Sequence, residues 1–246
     1  MIPFFIYYSM FGFQRIGDLI WAAADMRTKG FLLGATAGRT TLAGEGLQHQ
    51  DGHSHLMASA IPNLKAYDPA FAYEIAVIIH DGLQRMYVDQ EDVFYYLTLE
   101  NENYIQPPIL ENIDEGIIKG MYKLKSGDSG ENPRVQLLAS GSMVNEVLAA
   151  SQLLKEDWQI DSDVWSVTSF SELHREAEDK SRWNTLHPDA EDKQSYIGFC
   201  MKAENGSVIA VSDYVKLVAE QIAPYINCPF VALGTDGFGR SETRDA

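Results

Sequence analysis

The sequence predicts an α/β protein with two sheets of parallel strands. Short apolar, β-prone runs alternate with segments whose apolar residues repeat at helical spacing, first up to about residue 105 and again from residue 135. Repeated alternation of strand and helix is typical of a parallel sheet with helices on both faces. Between the two runs, Pro107-Pro108 and the polar turn region 126–133 change the composition. We therefore expect two α/β domains, at residues 1–108 and 109–246, with the boundary near 106–112.

The first domain is predicted to open with a buried strand over residues 3–8, because this segment is apolar and aromatic. Apolar residues at helical spacing predict a helix over 14–27, which Gly30 ends. We expect Asp68-Pro69 to open a second helix, because proline is favoured in the first turn. The remaining elements are predicted as strand 31–33, strand 63–67, the second helix to residue 86, and strand 92–99. Since chains rarely begin in a core strand, we expect the first strands of this domain to be missing.

The second domain repeats the alternation of strand and helix. Its elements are predicted as strand 135–139, helix 142–156, strand 163–168, helix 170–181, strand 207–212, helix 214–226 and strand 229–233. This order again favours a parallel sheet.

Composition limits the classes of protein that fit. Hydrophobic residues make up 46% of the chain, which is ample for packed cores. The formal net charge of −16 argues against nucleic-acid binding, because a phosphate backbone attracts lysine and arginine. Cys200 and Cys228 lie outside any CxxC pattern, which fits a reducing, cytoplasmic setting. The apolar start lacks a basic segment, and Gln14-Arg15 interrupt it, so we expect neither a signal peptide nor a membrane span.

The most informative stretch is GATAGRTTLAGEGLQHQDGHSH, residues 34–55. It holds three of the six histidines and has almost no apolar periodicity, so we expect it to form neither a packed helix nor a strand. Long loops are usually functional or disordered, and the regular apolar segments on both sides favour function. We therefore predict a ligand-binding loop.

The polar side chains of this loop allow three interpretations. Glu45, His49, Asp51, His53 and His55 lie within eleven residues, and imidazole and carboxylate are ordinary metal ligands. Their spacing lacks the helical i, i+4 pairing that directs two ligands at one ion, so a metal is the weaker interpretation. Alternatively, Glu45 and His49 converge on one substrate, where the histidine relays protons and the carboxylate tunes it. On spacing alone, ordinary loop residues held by backbone hydrogen bonds are an equal alternative.

A second candidate site lies at the end of the opening strand. Ligands of parallel α/β sheets bind beyond the carboxyl ends of the strands, where Tyr8, Phe11, Phe13 and Arg15 are expected. A tyrosine can donate a hydrogen bond, a phenylalanine can stack on a planar ring, and an arginine can hold a carboxylate or a ring nitrogen. Packing in the core is the alternative for each aromatic residue. The glycine-rich segment 234–241 matches neither GxGxxG nor GxxxxGK[ST], so we expect no phosphate loop there.

Segments spread over essentially the whole chain carry a resemblance to a known family. They are YYSMFGFQRIGDLIWAAADMRTKGFLLGATAGRTTLAGEGLQHQDGHSH, YDPAFAYEIAVIIHDGLQRMY, NENY at 101–104, SDVWSVTSFSEL, RWNTLHP and GTDGFGRS. Together they resemble the homodimeric type of pyruvate dehydrogenase, the thiamine diphosphate-dependent decarboxylating component of its complex. The resemblance implies that residues 1–108 are part of a transketolase-like pyrimidine-binding domain and residues 109–246 most of the C-terminal domain.

The resemblance also implies roles for single residues. Phe11 would stack on the aminopyrimidine ring of thiamine diphosphate, and Arg15 would lie near it. Tyr8 and His49 would face the substrate carboxylate or the covalent intermediate, and Glu45 would support His49. No metal ligand is assigned to this chain. The family's diphosphate and magnesium motif, GDG followed by paired asparagines, does not occur in the sequence, and the glutamate that protonates the pyrimidine would lie before Met1.

The implied function is oxidative decarboxylation of pyruvate, with transfer of the acetyl unit to the lipoyl group of dihydrolipoyl acetyltransferase. The cofactors would be thiamine diphosphate and Mg²⁺, both bound mainly by a domain absent from this chain. A second copy of the chain and the lipoyl domains and core of the acetyltransferase would be its partners, in the cytoplasm and without nucleic acid or membrane. We expect the chain to be inactive alone. Two alternatives stay open: a non-catalytic module that dimerises or docks, and a metal-dependent hydrolase built on the histidine loop.

Overall fold

A computed structural model describes residues 1–42, 45–128, 132–202 and 206–240. The strands are β1 (Phe4–Tyr7), β2 (Phe31–Ala35), β3 (Leu64–Tyr67), β4 (Phe94–Leu99), β5 (Tyr122–Lys125), β6 (Arg134–Ala139), β7 (Asp161–Ser166), β8 (Ser207–Val211) and β9 (Phe230–Leu233). The α-helices are α1 (Ser9–Asp25), α2 (Ser54–Ser59), α3 (Ala72–Leu83), α4 (Asp114–Lys119), α5 (Met143–Trp158), α6 (Phe170–Leu186), α7 (Tyr196–Cys200) and α8 (Leu217–Glu220). None of the helices in this described part of the chain has the length and apolar character that a membrane span needs.

The described residues form two sheets, which confirms the predicted α/β class. The first sheet has the strand order β1-β2-β4-β3 and is parallel throughout. Its strand β4 lies between β2 and β3, with Tyr95 opposite Phe31 and Phe94 opposite Leu64. The run FYYLTL is buried in all but its last residue, a pattern typical of a strand covered on both faces.

The opening strand is exposed, so the prediction of a buried strand is wrong. Phe5 and Ile6 in β1 are 53% and 65% exposed. Strand β1 pairs with β2, and within the described residues no strand pairs with its other edge. Apolar composition predicted the strand correctly, but burial depends on what covers it.

Helix α1 begins at Ser9 and not at the predicted Gln14. Glycine disfavours helix, yet Gly12 lies inside the first turns. A Cβ atom at Gly12 would lie 1.8 Å from Cε2 of Tyr7, so the helix can pass this close to the tyrosine ring only with glycine at that position. The helix is kinked at Ile16, whose φ and ψ are −128° and 20°.

Helix α3 begins at Ala72, so the prediction that Pro69 lies in its first turn is wrong. The carboxylate of Glu74 accepts hydrogen bonds from the amides of Ala70 at 2.6 Å and Phe71 at 3.0 Å. These amides precede the helix, and a side-chain acceptor from its first turn satisfies them, as in a capping box.

The second sheet has the order β5-β7-β6-β8-β9 and departs from the prediction in two places. Strand β5 runs antiparallel to β7, while the other pairs are parallel, as predicted. The predicted helix over 214–226 is reduced to α8 and a 3₁₀ turn, Ala223–Tyr225. Pro224 lacks an amide hydrogen and restricts the residue before it, so a continuous helix cannot form.

The glycine-rich stretch 34–55 is more regular than predicted. Its first two residues belong to β2, Leu47–His49 is a 3₁₀ turn, and its last two residues begin α2. The expectation of neither helix nor strand is therefore wrong at both ends of the stretch. Residues 43 and 44 lie outside the described residues.

The two sheets meet at the carboxyl ends of their parallel strands. Asp68, the residue after β3, donates its amide to the Thr168 carbonyl at 2.7 Å, and its own carbonyl accepts from the Gly141 amide at 3.0 Å. Its carboxylate accepts hydrogen bonds from Thr98 at 2.5 Å and Ser140 at 2.7 Å. Asp68 therefore joins the sheets instead of opening a helix.

Candidate functional site

The fold brings Tyr8, Phe11 and His49 into one aromatic cluster. Tyr8 stands between β1 and α1, Phe11 lies in the first turn of α1, and His49 ends the 3₁₀ turn. The ring centroid of His49 lies 4.8 Å from that of Tyr8 and 5.1 Å from that of Phe11. The centroids of Tyr8 and Phe11 are 5.6 Å apart. Edge-on and tilted contacts of this kind are favourable between aromatic rings.

Arg15 adds a positive charge to the aromatic cluster. Its guanidinium carbon lies 4.2 Å from the ring centroid of Phe11, within the range of a cation–π interaction. The two residues are four apart on α1 and so share one face of the helix. Arg15 is exposed and Tyr8 is 47% exposed, so the cluster is open to a ligand from one side.

His49 has an unsatisfied polar atom in this cluster. Its Nδ1 is buried and has no hydrogen-bond partner among the described residues. Leaving such an atom unpaired costs about 1–3 kcal/mol, a cost that a hydrogen bond from a ligand removes. Of the predicted site residues, His49 therefore has the clearest sign of a ligand contact.

Glu45 and Phe13 are not joined to the aromatic cluster. Glu45 is half-buried, and within the described ranges no hydrogen bond or ion pair connects it to His49. Its supporting role stays a prediction. Phe13 is 8% exposed and packs edge-on against Tyr96 at 5.1 Å, so it belongs to the core.

The other polar residues of the loop do not form a metal site. Asp51 accepts hydrogen bonds from the amides of His53 at 3.0 Å and Ser54 at 2.9 Å, at the start of α2. His55 is buried, with Nε2 3.0 Å from the hydroxyl of Thr98. In the part of the chain that the structure describes, no group of three or more His, Cys, Asp or Glu side chains is arranged to hold a metal ion. The hydrolase alternative therefore has no site in these residues.

A side chain of the second sheet holds the loop from across the junction. Asp213 follows β8 and is 1% exposed. Its carboxylate accepts hydrogen bonds from the Arg39 amide at 2.6 Å and from the amide and hydroxyl of Thr40 at 2.9 and 2.6 Å. A Cβ atom at Gly38, whose φ is +73°, would lie 2.3 Å from Oδ2 of Asp213. This approach therefore requires glycine.

The side chain of Arg39 connects the same loop to the glycine-rich segment near the end of the chain. Its guanidinium donates hydrogen bonds to the carbonyls of Thr235 and Gly237, the latter at 2.6 Å. It passes over Gly52, where a Cβ atom would lie 2.1 Å from Nη2. The described residues 234–240 thus support the predicted ligand loop, a contact that composition did not reveal.

Three carboxyl groups, of Asp68, Glu100 and Asp213, lie near each other at the junction of the sheets. Burial raises the pKa of Glu100 well above its ordinary value, and Asp68 and Asp213 raise it further, against a hydrogen bond from Thr41 at 2.7 Å. Burial also raises the pKa of Asp213, despite its hydrogen bonds. Burial lowers the pKa of His55, whose Nε2 lies 3.9 Å from the carboxylate of Asp68.

The sequence analysis did not predict that these three acidic residues lie together. Asp68 and Glu100 directly follow β3 and β4, and Asp213 stands two residues after β8. The rule that ligands and polar groups gather at the carboxyl ends of parallel strands could have found each of them. It could not show that the ends of two separate sheets face each other.

Two family models match the chain. Residues 1–107 match the pyruvate dehydrogenase E1 component middle domain, and residues 120–246 match the transketolase-like TK C-terminal domain. The pyruvate dehydrogenase E1 component of Cupriavidus necator is 58% identical over 246 residues, which are 100% of this chain and 28% of the relative. That of Escherichia coli K12 is 55% identical over 247 residues, with the same two coverages. The chain therefore spans 28% of the length of these relatives.

Solved structures share the fold. Transketolase from Campylobacter jejuni superposes with a TM-score of 0.70 at 20% identity, covering 100% of this chain and 33% of that chain. Transketolase from Leishmania mexicana gives 0.70 at 21% identity, covering 100% and 31%. These likenesses confirm the predicted transketolase-like architecture. The two family models and the relatives above 50% identity show that the chain belongs to the family of pyruvate dehydrogenase E1 components.

Proposed function

We propose that this chain is part of an enzyme that decarboxylates pyruvate and passes the acetyl unit to the lipoyl group of dihydrolipoyl acetyltransferase. The names of its relatives support this activity. The observation that carries the proposal is the aromatic cluster of Tyr8, Phe11 and His49, where Nδ1 of His49 is buried without a partner among the described residues. One place therefore offers both a stacking face and a polar atom that needs a ligand.

The aromatic cluster fits the pyrimidine part of thiamine diphosphate. Phe11 presents a ring to a planar heterocycle, and the guanidinium of Arg15 supplies donors for a ring nitrogen or a carboxylate. When bound, thiamine diphosphate supplies the electron sink that decarboxylation of a 2-oxo acid requires. The residues of this chain bind and orient the reacting groups.

His49 and Tyr8 are the proposed substrate contacts. A histidine can hold or move a proton near neutral pH, and Nδ1 of His49 is the atom available for it. The hydroxyl of the half-exposed Tyr8 can donate a hydrogen bond to the carboxylate of a 2-oxo acid. Glu45 would join His49 when the substrate is present.

The Mg²⁺ ion and the diphosphate are proposed to be held by another part of the enzyme. GDG followed by paired asparagines does not occur in this sequence, and the described residues offer no group of metal ligands. We also propose that residues 1–108 serve as part of the pyrimidine-binding domain and residues 109–246 as the C-terminal domain. The enzyme would be a cytoplasmic homodimer, with the lipoyl domains and core of the acetyltransferase as partners.

A chimeric enzyme tests this function. Residues 1–246 replace the matching segment of the Cupriavidus necator relative, and CO₂ release from pyruvate is measured with thiamine diphosphate and Mg²⁺. We expect turnover comparable to that of the unmodified relative, and none from the isolated chain. His49→Ala should lower turnover about 100-fold, the usual contribution of a proton-transferring side chain. His187→Ala is the matched control, because this exposed histidine stacks on Trp183 in α6.

Two outcomes contradict the proposal in different ways. A folded chimera that binds thiamine diphosphate and releases no CO₂ from pyruvate excludes the activity and favours a non-catalytic docking module. Unchanged turnover in His49→Ala would remove His49 from the reaction while leaving the activity itself in place.

A further inference from the structure

We propose that Asp213, which follows strand β8 of the second sheet, is a positioning residue that holds the turn carrying His49 in place from across the junction between the sheets. This role rests on the proposed function and extends it, because each of the proposed contacts with cofactor or substrate lies in the first 49 residues. Asp213 acts through Arg39 and Thr40, which it binds directly.

The first link joins Asp213 to the start of the loop. Its carboxylate receives three hydrogen bonds, of 2.6 to 2.9 Å, from Arg39 and Thr40. The backbone of Gly38 lies so close that a Cβ atom there would approach Oδ2 of Asp213 to 2.3 Å. Residues 38–40 are therefore fixed by the second sheet and not by their own secondary structure.

The second link runs from Gly38 to the turn that carries His49. The carbonyl of Gly38 accepts a hydrogen bond from the amide of Asp51 at 3.2 Å. Asp51 follows the 3₁₀ turn Leu47–His49 by two residues, and Gln50 between them donates its amide to Leu47 at 3.1 Å. A shift of Gly38 therefore moves the end of the turn on which His49 stands.

Two further contacts from the second domain hold the residues that follow this turn. The amide of Val215 donates to the carbonyl of Gly52 at 3.0 Å, and Val215 lies two residues beyond Asp213. Gly239 packs against Gln50 so closely that a Cβ atom at Gly239 would lie 2.1 Å from Cβ of Gln50. The residues that follow the turn are thus held by two stretches of the second domain, one just after β8 and one near residue 239.

The chemistry of the side chain explains why the residue is an aspartate. A buried carboxylate is costly unless several donors satisfy it, and Asp213 is 1% exposed. Its two oxygens accept from two amides and one hydroxyl at the same time. An asparagine has a single acceptor oxygen, so in Asp213→Asn an NH₂ group replaces the oxygen that accepts from the Thr40 hydroxyl, and the bonds from the two amides lose the strength that a charged acceptor gives. A displacement of about 1 Å in such a support can lower turnover about 100-fold.

Hydrogen exchange of the chimeric enzyme tests the positioning directly. Asp213→Asn and Thr40→Val each remove part of the three hydrogen bonds, whereas Thr40→Ser keeps the hydroxyl donor. Asp163→Asn is the matched control, because Asp163 is a buried carboxylate of the same sheet that accepts from Lys123 and Gly127, away from the loop. We expect the amides of His49, Gln50 and Asp51 to exchange about tenfold faster in Asp213→Asn and Thr40→Val, and unchanged in Thr40→Ser and Asp163→Asn.

Steady-state kinetics give the second measurement. We expect Asp213→Asn and Thr40→Val to lower kcat for pyruvate about 10- to 100-fold while KM changes less than about threefold, because substrate contacts stay and alignment is lost. Thr40→Ser keeps the hydroxyl donor and should have the kcat of the unmodified chimera. A loss of global stability alone would appear equally in Asp163→Asn, so equal effects in that control overturn the proposal.

The two proposals fail in distinguishable ways. Unchanged exchange at residues 49–51 in both Asp213→Asn and Thr40→Val overturns the positioning role, whatever the activity. An unmodified chimera that releases no CO₂ from pyruvate overturns the proposed function. In that case the exchange rates alone decide whether Asp213 holds the turn.

Discussion

The guanidinium of Arg15 lies 4.2 Å above the ring of Phe11, one turn earlier on helix α1. The kink at Ile16 follows directly, so the first part of α1, which carries Phe11 and Arg15, differs in direction from the rest of the helix. The pair therefore presents a charged and an aromatic group to the same ligand.

Replacing Phe11 by alanine should weaken binding of thiamine diphosphate by the chimeric enzyme about tenfold. Stacking of an aromatic pair contributes about 0.5–1.5 kcal/mol beyond the area it buries. Calorimetric titration measures the affinity, and Leu19→Ala is the control, because Leu19 is 62% exposed on the same helix. Equal affinities of Phe11→Ala and Leu19→Ala would contradict the stacking role.

Replacing Glu100 by glutamine should make stability depend less on pH. Burial raises the pKa of Glu100, so the folded state keeps its proton to higher pH than the unfolded state. The stability from this group is full below about pH 4.5 and is lost as pH rises through the folded pKa, by up to about 1.4 kcal/mol per pH unit. Glutamine stays neutral, so the variant should gain stability relative to the parent chain between pH 5 and pH 8.

Urea denaturation at several pH values measures this difference. Glu115→Gln is the control, because Glu115 is exposed and pairs with Lys119 at the surface. If the free energies of unfolding of Glu100→Gln and the parent chain differ by the same amount at pH 5 and pH 8, the pKa of Glu100 is not raised.

Replacing His55 by glutamine should change the free energy of unfolding with the opposite dependence on pH. Burial lowers the pKa of His55 below 6.5, although Asp68 and Asp51 oppose this. As pH falls through 6.5, the unfolded state takes up the proton first, so the parent chain loses up to about 1.4 kcal/mol per pH unit until the folded pKa is reached. The variant lacks this loss. Its stability relative to the parent chain should therefore rise as pH falls from 7.5 to 5. His187→Gln is the control, because His187 is exposed. A difference between His55→Gln and the parent chain that stays constant over this pH range would contradict the prediction.

Replacing Glu74 by alanine should lower the free energy of unfolding by about 3 kcal/mol, because buried donors lose their acceptor. Glu74 is fully buried, and one of its oxygens accepts from the hydroxyls of Tyr122 and Ser166, both at 2.7 Å. The other oxygen accepts the amides that precede α3. Chemical denaturation measures the loss, and the exposed Glu115→Ala should leave the free energy unchanged. A loss no larger than in this control would show that the two hydroxyls find other partners.

Local sequence patterns were enough to predict most of the helices and strands. The apolar run of β4 and the helical spacing in α5 and α6 predicted their type and approximate bounds, because a buried strand and an amphipathic helix impose these patterns. The starts of two helices were predicted wrongly, α1 from the apolar spacing and α3 from Pro69. In both cases a tertiary contact or a capping side chain outweighed the local preference.

The sequence by itself determined the α/β class, the family, and the residues Tyr8, Phe11, Arg15 and His49 as candidates, since motifs and periodicity are local properties of the chain. Only the tertiary structure decided that the first strand is exposed, that His49 packs on Tyr8, and that Asp213 binds Thr40, 173 residues away in the chain. Contacts between distant residues depend on which sheet edges face each other. That arrangement results from packing of both domains, and no local propensity encodes it.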